Sequence, residues 1–122
     1  MTSLQGMRVL VVENDELNAM LLQMQLEGEG MRVEGIAPTV AEALEMIQAH
    51  EPQLVFLDYW LARNENSTSV AALLQHRGIP FLVATGMDTS QLPEVFNAGI
   101  KLAKPYTSKD LIHALKQALA VA

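Results

Sequence analysis

The stretch "LVFLDYWL", residues 54–61, decides the fold. Four apolar residues, Leu54 to Leu57, run without interruption and stop at an acid, Asp58. A run this short, and apolar at every position, fits a strand buried on both faces. A strand with one wet face would alternate apolar and polar residues instead. Strands of the first kind belong to parallel sheets, where crossover helices cover both faces. Helix-forming sequence should therefore flank residues 54–57 on either side, with further strands beyond.

The chain follows that pattern. "MRVLVV" (7–12), "MRVEGI" (31–36), "IPFLVA" (79–84) and "IKLA" (100–103) read as four more strands. Between them, apolar residues recur at helical spacing: Leu17, Met20, Leu21 and Met24, then Val40, Ala43, Leu44 and Ile47, and last Leu111, Ala114, Leu115 and Ala118. These stripes are expected to face the core, with most of the seven methionines as core filler. Shorter helices are predicted in 68–77 and 91–98, and "EGEG" (27–30) reads as a turn. Thr39 with Glu42 forms a capping box, and Thr107 or Ser108 caps the last helix. Five strands alternating with five helices predict a doubly wound, flavodoxin-like α/β fold. Its five-stranded parallel sheet has the order 2-1-3-4-5, with helices on both faces. Residues 1–122 are expected to form one domain, with no output domain.

Composition narrows the function classes. The chain has no cysteine, so disulfides and thiolate sites are excluded. Its formal net charge is −6, and its eight Lys and Arg form no cluster, so no direct nucleic-acid contact is expected. No apolar run approaches the ~20 residues needed to span a membrane, and residues 1–8 do not resemble a signal peptide. A cytoplasmic location is expected. His50, His76 and His113 lack the mutual spacing of a metal site.

In a doubly wound sheet the working site lies beyond the carboxyl ends of the strands. Those ends carry Glu13 and Asn14, then Asp58, then Thr85, then Lys104 followed by Pro105; the second strand ends in "APT". Two acids, an amide, a hydroxyl and an ammonium thus converge on one rim. The chemistry they suit is phosphoryl transfer onto a carboxylate, with Asp58 as nucleophile. Mg²⁺ would offset the repulsion between a carboxylate and an anionic phosphoryl group, while Thr85 and Lys104 hold phosphoryl oxygens. Each residue also has a plainer reading: Asp58 as a loop cap, Thr85 in an ordinary turn, Lys104 solvated. Glu13 and Asn14 suit a ligand role and a helix-cap role equally.

Four segments in this order, "VVEN", "VFLDYWL", "VATG" and "KPY", resemble the response-regulator receiver domain of bacterial two-component signalling. The resemblance covers nearly the whole chain. It implies a non-enzymatic phosphoprotein that accepts a phosphoryl group on Asp58 from a histidine kinase or a phosphotransfer protein. It further implies Thr85 and Lys104 as catalytic residues, and Mg²⁺ held by Glu13, Asn14, Asp58 and the Trp60 carbonyl. The signal would pass to a downstream protein partner by contact or phosphorelay, from a monomer or weak dimer. "RGIPFLVATGMD" (77–88) also resembles a single-domain subgroup with a Phe-Ala-Thr-Gly-x-Tyr motif, with Val83 in place of the Phe and Asp88 in place of the Tyr.

The departures carry information. The family's acidic pair is here Glu13-Asn14, so Mg²⁺ should bind weakly. Asp15 is acidic instead, but a one-residue slip would turn the strand's side chains to the wrong faces. Asn14 is therefore expected at the metal-facing position, with Asp15 and Glu16 starting the first helix. The family's switch aromatic is replaced by Lys101, and its loop Pro by Ala62. Asn14 and Lys101 favour an alternative, a pseudoreceiver that binds proteins without phosphorylation. A phosphatase of the Asp-x-Asp type fits poorly, because the second acid is replaced by Trp60.

Overall fold

The computed structural model describes residues 3–120. Five strands, β1 (Arg8–Val12), β2 (Arg32–Ala37), β3 (Leu54–Asp58), β4 (Phe81–Thr85) and β5 (Ile100–Ala103), form one sheet of order β2-β1-β3-β4-β5. All neighbouring pairs are parallel. The doubly wound flavodoxin-like order expected from "LVFLDYWL" is the order observed. The central position of β3 explains its composition: every residue from Leu54 to Asp58 is buried.

Four α-helices complete the fold: α1 (Glu16–Gly28), α2 (Val40–His50), α3 (Thr68–Arg77) and α4 (Ser108–Ala120). Alternation along the strands divides the core into two layers. Val9, Val11, Leu54, Phe56, Leu82 and Ala84 pack under α1 and α4, against Leu22, Leu26, Leu111 and Leu115. Leu10, Val12, Val55, Leu57, Phe81 and Val83 pack under α2 and α3, against Ile47, Val70 and Leu74. Caps set the helix starts. Asp15 accepts the Asn18 N–H at 3.0 Å, and Thr39 accepts the Glu42 N–H at 3.2 Å as the capping box requires. Thr107 accepts the Asp110 N–H at 3.1 Å at the start of α4.

Two expectations are corrected. The fifth helix, predicted over 91–98, is two 3₁₀ segments, Thr89–Gln91 and Glu94–Ala98. Pro93 holds Leu92 in an extended conformation between them, as a residue before proline prefers. Gly99 then closes the second segment against β4, where any Cβ would collide with the ring and carbonyl of Phe81. The space between Pro93 and Gly99 is too short for an α-helix to propagate.

The second correction concerns α1. The stripe Leu17, Met20, Leu21 and Met24 faces outward, with each residue more than half exposed. The buried positions are Ala19, Leu22 and Leu26. Met20 and Met24 are therefore surface residues, not core filler. The helix is apolar on two sides, so periodicity alone does not choose its phase. The start at Asp15 and the packing over Val11 and Phe56 choose it.

Candidate functional site

Strand register brings the strand-end residues together. Val12 pairs with Leu57, which sets Glu13 beside Asp58. Asp58 pairs with Ala84, which sets Thr85 one residue beyond it on the next strand. Thr85 pairs with Ala103, and the Lys104 N–H donates to the Thr85 carbonyl at 2.8 Å. The Lys104 ammonium then reaches across β4 to Asp58 and donates to Oδ1 at 3.1 Å. Its side chain remains one-third exposed, whereas that of Asp58 is largely buried.

Glu13 is the electrostatic centre of the site. It is 4% exposed, and its Oε2 is buried without a hydrogen-bond partner. Burial, then the neighbouring Asp58 as hydrogen-bond partner and as like charge, pushes its carboxyl up to about 8. Lys104 and Asn18 pull weakly the other way. The physical reason is simple. Two carboxylates share one ammonium in a space with little water, so a proton or a cation must supply the missing positive charge.

That arrangement fits a hard divalent cation. Glu13 offers an unpartnered carboxylate oxygen and Asp58 a second carboxylate, both suited to Mg²⁺. Among the described residues no three His, Cys, Asp or Glu form a metal cluster, so the carboxylate set stops at two. Asn14 lies in the β1–α1 turn with its side chain exposed, and Asp15 is committed to capping α1. Trp60, two residues beyond Asp58, bridges to Asn66 through its main chain. Its ring is 49% exposed and stands edge-on to Tyr59 at 5.0 Å between centroids.

Thr85 is 2% exposed, and its hydroxyl accepts the Met87 N–H at 3.1 Å. It is thus more enclosed than a rim residue. Lys101, at the position of the family's switch aromatic, is half-buried and donates to Asn97 at 2.6 Å. The loop at Ala62 closes as a 3₁₀ turn with the Leu61 N–H donating to Glu65 at 2.7 Å. Arg63 and Asn64 take left-handed backbone there, with φ of 62° and 58°. Asp88 caps the following 3₁₀ segment, accepting from the Ser90 N–H at 3.0 Å and its hydroxyl at 2.8 Å.

Two residues near the site were not singled out from the sequence. Asn18, in the first turn of α1, lines the same cleft as Glu13. Tyr106 is half-buried, with its ring 6.4 Å from that of Phe56. Burial, then the charges of Glu13 and Asp58, push its hydroxyl above the ordinary tyrosine range. Both side chains line a cleft of about 490 Å³ together with Glu13 and Lys104. The "KPY" motif already contained Tyr106, but its approach to Phe56 is a contact across the fold.

Known proteins share this fold. The family described as the response regulator receiver domain matches residues 9–116. The transcriptional regulatory protein PdtaR of Mycobacterium tuberculosis is 32% identical over 116 residues, covering 93% of this chain and 57% of that protein. The chain thus spans little more than half the length of that relative. SdrG from Sphingomonas melonis Fr1 superposes with a TM-score of 0.80 at 35% identity, covering 98% of this chain and 99% of that one. The response regulator PhyR from Brucella abortus superposes with a TM-score of 0.84 at 27% identity, covering 98% of this chain and 50% of that one. With the family matched over most of its length, the chain belongs to the receiver domains of response regulators.

Proposed function

We propose that the chain is a phosphorylatable receiver. Asp58 accepts a phosphoryl group from a phosphohistidine on a histidine kinase or phosphotransfer protein. An Asp58 oxygen attacks phosphorus, the P–N bond breaks, and its electron pair leaves on the imidazole nitrogen, which takes up a proton. Mg²⁺ held by Glu13, Asn14, Asp58 and the Trp60 carbonyl supplies charge neutralisation when bound. Lys104 binds one phosphoryl oxygen and the Thr85 hydroxyl another, in exchange for its contact with Met87. The signal then passes to a downstream protein by contact or further transfer.

The observation that carries this reading is the Lys104–Asp58 pair at 3.1 Å beside the unpartnered, buried oxygen of Glu13. A merely structural ion pair gains nothing from a second, uncompensated acid next to it. The test is labelling by acetyl phosphate with Mg²⁺. The wild type should acquire one base-labile phosphoryl group, and Asp58→Asn should acquire none. Full labelling of the variant would move the acceptor elsewhere.

A second reading, a pseudoreceiver, is favoured by the exposed amide at Asn14 and by the tie between Lys101 and Asn97. A wild type that takes no label and binds no Mg²⁺ at millimolar concentration would establish it.

A further inference from the structure

Aromatic rings join the site to the connection between β4 and β5. The chain's one tryptophan, Trp60, stands two residues beyond Asp58, and its ring meets that of Tyr59 edge-on at 5.0 Å between centroids. Tyr59 in turn meets Phe96 edge-on at 5.4 Å. Exposure falls along this row from 49% at Trp60 to 7% at Tyr59 and 0% at Phe96. The row thus runs from solvent beside Asp58 into the core at Phe96. Edge-to-face rings hold one another's orientation, because the positive edge of one seeks the negative face of the next. Turning one ring therefore obliges its neighbour to move.

The two ends of the row differ in stiffness. Tyr59 is pinned by its main chain: its N–H donates to the Ala84 carbonyl at 3.1 Å, and its carbonyl accepts from the Ser67 N–H at 2.9 Å. Its freedom lies in the ring. The segment 89–98 is held by short turns, with the Leu92 N–H donating to Thr89 at 3.3 Å and the Phe96 N–H to Pro93 at 3.0 Å. Such turns resist displacement weakly, and the segment keeps its place through the burial of Leu92 and Phe96. Phe96 is thus both an anchor of this segment and the inner ring of the row. Its neighbour Asn97 accepts from the Lys101 ammonium at 2.6 Å, which ties the segment to β5. We propose that Tyr59 is a positioning residue that couples occupancy of Asp58, through Phe96, to the segment 89–98. The coupling rests on Asp58 being the phosphoryl acceptor. When the site is filled, the Trp60 main chain is drawn toward it and the Tyr59 ring turns between its two neighbours. Phe96 then shifts its segment and, through Asn97, the Lys101 side chain.

The test is NMR of the chain with beryllofluoride and Mg²⁺, read at two places. Fluorotryptophan reports on Trp60, the single tryptophan, and backbone amides report on residues 94–99. Both signals should shift in the wild type. In Tyr59→Leu the Trp60 signal should still shift, while the response of 94–99 should be lost. Tyr59→Phe keeps the rings and should keep the response. Phe96→Leu, which leaves the residues next to Asp58 untouched, should lose it as Tyr59→Leu does, and decides the matter if that variant fails to fold. Both leucine variants should still take a base-labile label from acetyl phosphate, which separates lost coupling from a damaged site. A full response of 94–99 in the leucine variants would overturn the proposal. A wild type in which Trp60 shifts and 94–99 stays silent would overturn the coupling alone. A wild type in which neither signal moves would refute Asp58 as the acceptor, and the coupling with it.

Discussion

At the scale of single residues, the neighbours Glu13 and Asn14 differ sharply, the first buried and the second exposed. Glu13 is buried beside Asp58 and is raised to about 8 from an ordinary 4.5. The folded state therefore holds this proton more tightly than the unfolded chain does. Its contribution to stability is complete below about pH 4.5 and is lost as pH rises through about 8. Without metal, urea melts should show the fold weakening across that window. Glu13→Gln should flatten the dependence and exceed the wild type at high pH by on the order of 2 kcal/mol or more. Parallel pH profiles for the two proteins would show that Glu13 ionises freely. Asn14 makes the complementary prediction. If it faces the cation, Asn14→Asp adds a third carboxylate, and repulsion from Glu13 and Asp58 offsets part of the gain. Mg²⁺ affinity should rise about tenfold, roughly 1–2 kcal/mol. Trp60 fluorescence can follow the titration, and equal affinities would leave Asn14 as a turn residue without a ligand role.

At the scale of elements, α1 is the place where periodicity misleads. Two apolar stripes run along it, and the one made of Leu17, Met20, Leu21 and Met24 faces water. Truncating the buried stripe should cost far more than altering the exposed one. Leu26→Ala, at a position with no exposed surface, should destabilise by about 2–5 kcal/mol. Met24→Gln, at a position 64% exposed, should stay within about 0.5 kcal/mol. Chemical denaturation of the two variants measures both, and similar losses would mean the helix is rotated from the phase described. The segment 89–98 shows the opposite situation. Its apolar residues Leu92, Val95 and Phe96 do reach the core, but Pro93 and Gly99 leave no length for an α-helix.

At the scale of the whole molecule, the site joins β1, β3 and β5 by one cluster of charges, so a ligand there should stabilise the fold as a unit. Beryllofluoride with Mg²⁺ imitates a phosphoryl group on a carboxylate. At 100-fold excess over Kd, a ligand specific to the folded state adds about 2.7 kcal/mol. For a domain of this size that corresponds to a Tm rise of roughly 10 °C. Asp58→Asn should abolish the shift, while a wild type whose Tm does not move would support the pseudoreceiver reading.

Much of this was determined by the sequence itself. Leu54–Leu57, apolar at every position, specified a strand buried on both faces, and from it came the parallel sheet and its order. The same logic nominated Glu13, Asp58, Thr85 and Lys104, because parallel strands present their carboxyl ends on one rim. Local rules also sufficed for Thr39 as a cap, since a cap needs only its own first turn; the cap of α1 proved to be Asp15, which the sequence had placed inside the helix start. What remained was decided by contacts between distant residues. Periodicity could not say which face of α1 is buried, because that depends on Val11 and Phe56 lying beneath Leu22 and Leu26. Nor could it place Tyr106 against Phe56, or leave the Glu13 oxygen without a partner. Spacing along a chain reports which residues share a face; only packing reports what that face meets, and the burial that follows sets the charge state of Glu13.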